Sequence, residues 1–141
     1  MANKNSTIIG LDIGERRIGV AMTSLVARLP APHGVISNDS NAVESICKLT
    51  VDEQAKALVI GLPRGLQSQE TAQTQTVRNF AGQLEKDCQL PIYFQDEALT
   101  SKQAEEELRQ RRVSYTKEAV DALAATYILN DFLQEHPEFK E

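Results

Sequence analysis

The sequence predicts a mixed α/β fold, a five-stranded sheet with helices on both faces. Three observations carry this reading. Two apolar segments, residues 7–13 and 18–23, flank Gly14-Glu15-Arg16-Arg17 and read as a hairpin. From Val43 onward the apolar residues recur at helical rather than strand spacing. Two short continuous apolar runs, at 57–61 and 91–95, each follow a helical segment, as parallel strands do when helices cross over between them. The chain has 141 residues, of which 41% are hydrophobic and 25% charged, values suited to one globular domain over residues 1–141.

The elements follow in order. Thr7-Ile8-Ile9 leads into the first strand and Ile18-Gly19-Val20-Ala21-Met22 forms the second. After the Pro30-Ala31-Pro32 punctuation, His33 to Ser37 reads as a third strand, completing an antiparallel meander. Val43, Ile46, Cys47 and Thr50 then mark one face of a helix, with Asn41 and Glu44 spaced as its capping box. Ala57 to Gly61 is a strand buried on both faces, ending at Leu62-Pro63. A loop from Arg64 to Gln69 precedes a helix with Val77, Phe80, Ala81 and Leu84 inward. Pro91 to Gln95 reads as a second buried strand ending at Asp96-Glu97. Thr100, with Gln103 three residues later, caps a polar helix to about Arg112. The last helix runs from about Thr116 to Gln134, with Ala122, Leu123, Thr126, Leu129 and Leu133 inward, and a polar tail from Glu135 is expected to fray. The order β-β-β-α-β-α-β-α-α is the layout of the ribonuclease H-like fold, in which the first strand is central and lies beside the fourth.

Composition narrows the function classes. A net charge of −5 excludes a protein that coats nucleic acid by charge alone, and the absence of Trp excludes a broad stacking platform. No apolar run is long enough to span a bilayer, and Met1 to Ser6 carries no apolar stretch of a leader, so no membrane partner and a cytoplasmic location are expected. Cys47 and Cys88 form no C-x-x-C pair and are expected to be reduced and structural. A monomer or a homodimer is compatible with this size.

The chemistry centres on Asp12, a carboxylate inside a run that otherwise reads as a buried strand. Such a group costs free energy unless a cation, hydrogen bonds or a proton compensates it. The predicted layout brings Glu97, with Asp96, and Asp121 to comparable heights. The alanines around Asp121 let its helix approach the sheet. Two strand spacings, roughly 10 Å, separate the backbones of Asp12 and Glu97 in that layout. Three converging carboxylates suit Mg2+ or Mn2+, and two such ions about 4 Å apart can activate water for phosphodiester hydrolysis. Each acid also has a plainer role: Asp12 as a turn cap, Asp121 as a helix-dipole partner, Asp96 and Glu97 as solvated charges. Basic residues able to meet phosphates are Arg16, Arg17 and Arg64. Arg109, Arg111 and Arg112 read instead as a helix face balancing Glu105, Glu106 and Glu107.

Four ordered motifs carry a family resemblance. They are Asp12-Ile13-Gly14 with Arg17-Ile18-Gly19-Val20-Ala21; Ile60-Gly61-Leu62-Pro63 with Glu70 downstream; Asp96-Glu97-Ala98-Leu99-Thr100-Ser101; and Val120-Asp121-Ala122-Leu123-Ala124-Ala125. Over nearly its whole length the chain resembles the YqgF/RuvX family, described as pre-16S rRNA nucleases and earlier as Holliday junction resolvases. The resemblance implies a metal-dependent nuclease with Asp12, Glu97 and Asp121 as catalytic, metal-binding acids, and Asp96 and Glu70 as second candidates. Arg16, Arg17 and Arg64, with Thr100 and Lys117 from the motif segments, are the expected substrate contacts; Mg2+ or Mn2+ is the expected cofactor and precursor rRNA the expected partner, with branched DNA as the alternative. Two positions depart from the family pattern. Ala98 stands where an Arg is usual, and Tyr115-Thr116-Lys117-Glu118 replaces a Lys-Gly-Lys lead-in, so a weaker grip on a nucleic-acid backbone is expected. Two other readings compete. One is a nucleotide-binding module like a sugar-kinase lobe, for which this chain has room for one of the two lobes needed. The other is a catalytically weak nucleic-acid or protein interaction module.

Overall fold

Alternation of side chains along the strands sets the architecture of the computed structural model, which describes residues 6–65, 67–97, 106–111 and 115–139. The strands are β1 (Thr7–Ile13), β2 (Arg17–Ser24), β3 (Ala31–Ser37), β4 (Ala55–Pro63) and β5 (Ile92–Glu97). They form one sheet in the order β3-β2-β1-β4-β5, with β1 central beside β4, as the sequence predicts. β1 pairs antiparallel with β2 and parallel with β4, and β4 pairs parallel with β5. The helices are α1 (Ala42–Asp52), α2 (Ala72–Cys88), α3 (106–110) and α4 (Lys117–Glu135).

Odd-numbered residues of β1 face one way and even-numbered residues the other. Ile9, Leu11 and Ile13 pack with Ile18, Val20, Leu58 and Ile60 against Ile46 of α1 and Val77, Ala81 and Leu84 of α2. On the opposite face Ile8, Ala21, Ala57 and Val59 meet Ala125, Ile128, Leu129, Phe132 and Leu133 of α4. Each fully buried Ile or Leu here contributes about 1.5–3 kcal/mol relative to exposure. The two layers bury β1 from Ile8 to Leu11 on both faces, and Asp12, beyond them, is partly accessible.

Helix ends are fixed by local chemistry. Thr71 and Thr74 form a reciprocal capping box at α2, and the Thr74 hydroxyl also donates to the Pro63 carbonyl, tying the helix to the end of β4. The Thr116 hydroxyl accepts from the Ala119 N–H at the start of α4. At its other end the Arg28 guanidinium donates to the Leu133 carbonyl at 3.0 Å and to the Phe139 carbonyl, a cation at the negative end of the helix dipole. The Asn41–Glu44 box is not formed: Asn41 makes no side-chain cap. Asp39 instead takes the Asn41 N–H on its carboxylate and the Ala42 N–H on its carbonyl.

Two further expectations, on the sheet edge and on the tail, are corrected. β5 is an edge strand rather than a doubly buried one. Tyr93 and Phe94 are 37% and 36% exposed, one ring shielding Phe132 and Phe139 and the other lying under the Arg78 guanidinium. Its apolar run is continuous because aromatic side chains cap both faces of the sheet edge. The tail does not fray at Glu135, since Phe139 folds back onto Phe132 and Tyr93. Thr100, Gln103 and Arg112 lie outside the described residues, so of the predicted polar helix only 106–110 is seen as helix.

Cys47 and Cys88 are not reduced thiols but a disulfide, with the Cα atoms 5.0 Å apart. It links the middle of α1 to the last residue of α2, two helices on the same face of the sheet. A crosslink across 41 residues restricts the unfolded chain by about 4 kcal/mol in the loop-entropy picture. Reduction, or the pair Cys47→Ser and Cys88→Ser, is therefore expected to lower the unfolding free energy by about 2–4 kcal/mol. Urea denaturation with and without dithiothreitol measures this, and superimposable curves would show that the bond contributes nothing.

Candidate active site

Asp12 shares its face of β1 with Ile8 and Gly10, so its carboxylate points toward α4. Its cross-strand partner on β2 is Gly19. A Cβ at Gly19 would stand 1.9 Å from the Asp121 carbonyl oxygen, so only glycine lets the α4 backbone rest on the sheet there. This contact, more than the alanines of α4, carries Asp121 to Asp12. The four-residue turn in the sequence already implies the Asp12–Gly19 pairing, and alternation then puts Gly19 on the acid's face.

The turn-capping role proposed for Asp12 is not realised. The β1–β2 turn is closed by the Gly14 N–H donating to the Arg17 carbonyl at 3.0 Å and by Asn38, whose side-chain amide donates to the Gly14 carbonyl at 2.7 Å. Among the described residues the Asp12 carboxylate accepts no hydrogen bond. Burial, reinforced by the negative charge of Asp121, pushes its pKa up to about 6. Asp12 is thus an uncompensated carboxylate in a sheltered position, next to a second one.

Asp121 is differently placed. It lies in the second turn of α4, and Arg17 Nε donates to its Oδ2 at 2.7 Å. The Asp121 hydrogen bond and charge, with Glu118 nearby, hold the guanidinium more firmly protonated than usual. Arg17, expected to face substrate, is therefore engaged with an acid of the site. No sequence signal announced this pair, which depends on the crossing of α4 over β2.

Glu97 and Asp96 are separated by the pleat. Gln95 reaches Glu135 of α4, so Glu97, two residues on, shares the face of Asp12. Asp96 points to the α2 side and pairs with Arg64 at 3.1 Å. Of the two, Glu97 is the one oriented toward the site. Its height differs from the expectation. Leu11 pairs with Ile60 and Gly61 with Gln95, so continuing the register sets Asp12 level with Gln95. Glu97 lies two residues farther along and two strands across, about 12 Å between backbones. Among the described residues no three His, Cys, Asp or Glu side chains form a metal-holding group. Asp12 and Asp121 are brought together, and Glu97 is not brought to them.

The remaining candidates divide. Glu70 is held by Arg78 through two 2.9 Å bonds and by Arg64 at 3.4 Å, and the Arg78 bond draws its carboxyl below the ordinary range. With Arg64 engaged by Glu70 and Asp96, this group is an ion-pair network beside α2. Arg109 and Arg111 pair with Glu106 and Glu107, as the balanced-face reading expects. Arg16 in the turn and Lys117 at the start of α4 are exposed cations. Ala98 and Thr100 lie outside the described residues. α3 braces this end of α4: Leu108 packs on Val120, Leu123 and Ala124. Burial and a hydrogen bond to Glu107 push the Tyr127 hydroxyl up to about 12.

A family model described as RuvX, Holliday junction resolvase, matches residues 6–135. A protein of Chloroflexus aggregans named "Putative pre-16S rRNA nuclease" is 37% identical over 131 residues, covering 90% of this chain and 92% of its own. One of the same name from Nitratidesulfovibrio vulgaris is 38% identical, covering 89% and 91%. Among solved structures, Thermus thermophilus RuvC in complex with a Holliday junction substrate superposes with a TM-score of 0.59 at 14% identity, covering 97% of this chain and 99% of that one. The fowlpox virus Holliday junction resolvase gives 0.57 at 10% identity, covering 92% and 98%. These superpositions establish the fold as ribonuclease H-like.

Proposed function

The chain belongs to the RuvX family, and from that premise we propose that it is a metal-dependent endonuclease that hydrolyses phosphodiester bonds of precursor 16S rRNA. The observation that carries the proposal is Asp12, an acid without hydrogen-bond compensation beside Asp121. A structural carboxylate would be satisfied by amides or a cation of the protein, whereas this one leaves its charge for something bound. Two hard oxygen donors, one from a strand and one from a helix, suit Mg2+ or Mn2+, the hard cations that carboxylates usually hold. When bound, such a cation supplies a lowered pKa for a coordinated water and neutralises charge developing on the phosphate.

The chain's own residues do the rest. Asp12 and Asp121 would hold the cation, while Glu97 faces the same side of the sheet from the end of β5, outside the pair. Arg16 in the β1–β2 turn and Lys117 at the start of α4 are exposed cations available to backbone phosphates near the scissile bond. A net charge of −5 favours a substrate recognised by shape over one gripped along its length by charge.

The test sets a 5′-extended 16S precursor RNA beside a four-way DNA junction, each with the purified chain and Mn2+, Mg2+ or excess chelator. Cleavage of the RNA, lost with chelator, is expected. Cleavage of the junction alone would transfer the assignment to branched DNA. Cleavage of neither would remove the nuclease reading in favour of a binding module.

A further inference from the structure

We propose that Arg17 is the displaceable counter-cation of the Asp12–Asp121 site, holding Asp121 while no divalent cation is bound and releasing it when one arrives. This rests on the metal-dependent reading above and deepens it by assigning the guanidinium a role toward the cation rather than toward substrate.

The residues of one patch carry the inference. Arg17, Gly19 and Ala21 alternate onto the α4 face of β2, and Gly19 pairs with Asp12. The Asp121 carbonyl sits directly over Gly19. The guanidinium therefore enters the site from β2, while Asp121 enters from α4 and Asp12 from β1. The contact is a single bond from Nε to Oδ2 at 2.7 Å, not a two-bond fork, and both side chains keep about a quarter of their surface in solvent, 29% and 24%. Such a bond exchanges more readily than a buried bidentate pair. Its charge compensates one carboxylate of the two. Arg64 and Arg78, by contrast, are committed to Glu70 and Asp96 beside α2 and are not available here.

A divalent cation shared by Asp12 and Asp121 would meet the guanidinium within a few ångströms, well inside the screening length of physiological salt. Like charges so close repel, and the repulsion favours an Arg17 turned outward. Turned outward it becomes a fork of donors at the mouth of the site, suited to a phosphate oxygen. The site would thereby expose its phosphate contact when the cation is in place.

The experiment measures Mn2+ binding to the full chain by calorimetry, without nucleic acid. Arg17→Ala is expected to tighten binding by about tenfold or more, the repulsion of a single and a double charge about 5 Å apart even at water's dielectric. Arg17→Lys, which keeps the charge, is expected to stay near wild type. A brace that merely held Asp121 in position would give the opposite sign, because its loss would weaken binding. Unchanged or weaker Mn2+ binding by a folded Arg17→Ala protein overturns the inference. If that variant does not fold, Arg17→Gln keeps a hydrogen bond without the charge and carries the same expectation. Wild type that binds no Mn2+ overturns both this inference and the metal-dependent reading. Wild type that binds, with variants indistinguishable from it, overturns the inference alone.

Discussion

Asp12→Asn is expected to abolish cleavage and at the same time to stabilise the fold above about pH 6. The Asp12 carboxyl has a pKa of about 6 in the folded chain, raised first by burial and then by Asp121, against about 3.9 in an unfolded one. Between those values the folded state binds more protons than the unfolded state, so stability falls as pH rises through the window from about 4 to 6. The full penalty, up to about 3 kcal/mol, is present above it. Asparagine keeps the shape and removes the charge, so a gain of about 1–3 kcal/mol at pH 7.5 is expected, with the pH dependence in that window flattened. Urea denaturation at pH 5, 6 and 7.5 reads it. Activity should fall by about 100-fold or more, because the lost charge is the one that engages the cation. A variant less stable than wild type at pH 7.5 would make Asp12 a structural residue after all.

Gly19→Ala is expected to be the most damaging small substitution in the chain. The new Cβ would lie 1.9 Å from the Asp121 carbonyl oxygen and 3.2 Å from the Ala122 nitrogen, both backbone atoms that no rotamer change can move. α4 must lift by about 1 Å, opening the layer that Ala125, Ile128 and Leu129 fill. A cost of about 3 kcal/mol is expected, at the upper end for overpacking. The lift also draws Asp121 from Asp12, and misplacement on that scale can cost about 100-fold in rate. Gly61→Ala is the control. Its Cβ would meet the Ile128 Cδ1 at 2.4 Å, the movable end of a flexible side chain. Thermal melts and cleavage rates of the two variants compare them. Equal effects would mean that α4 tolerates displacement and that its height over β2 does not set the site.

Much of this was legible in the sequence because local patterns report local burial. The hairpin around Gly14-Glu15-Arg16-Arg17 fixed the Asp12 register, and the two αβ crossovers placed β1 beside β4. What was not legible depends on how distant elements meet. The height of Glu97 is set by the parallel register of β4 and β5, which the intervening α2 leaves free to slide. Cys47 and Cys88 pair because α1 and α2 turn those faces toward each other on the sheet, a rotation that periodicity within either helix does not encode. The Arg17–Asp121 bond spans 104 positions and depends on where α4 crosses β2. The edge position of β5 is not legible because aromatic residues that shield an edge look, in sequence, like residues buried on two faces.

Cleavage of the 5′-extended 16S precursor by wild type, Asp12→Asn and Asp121→Asn in Mn2+, with each protein shown to be folded by its thermal melt, tests the two-carboxylate site most directly. Cutting by wild type and none by either folded variant is the predicted result. Undiminished cutting by either variant would contradict the assignment of Asp12 and Asp121 as the acids that hold the cation.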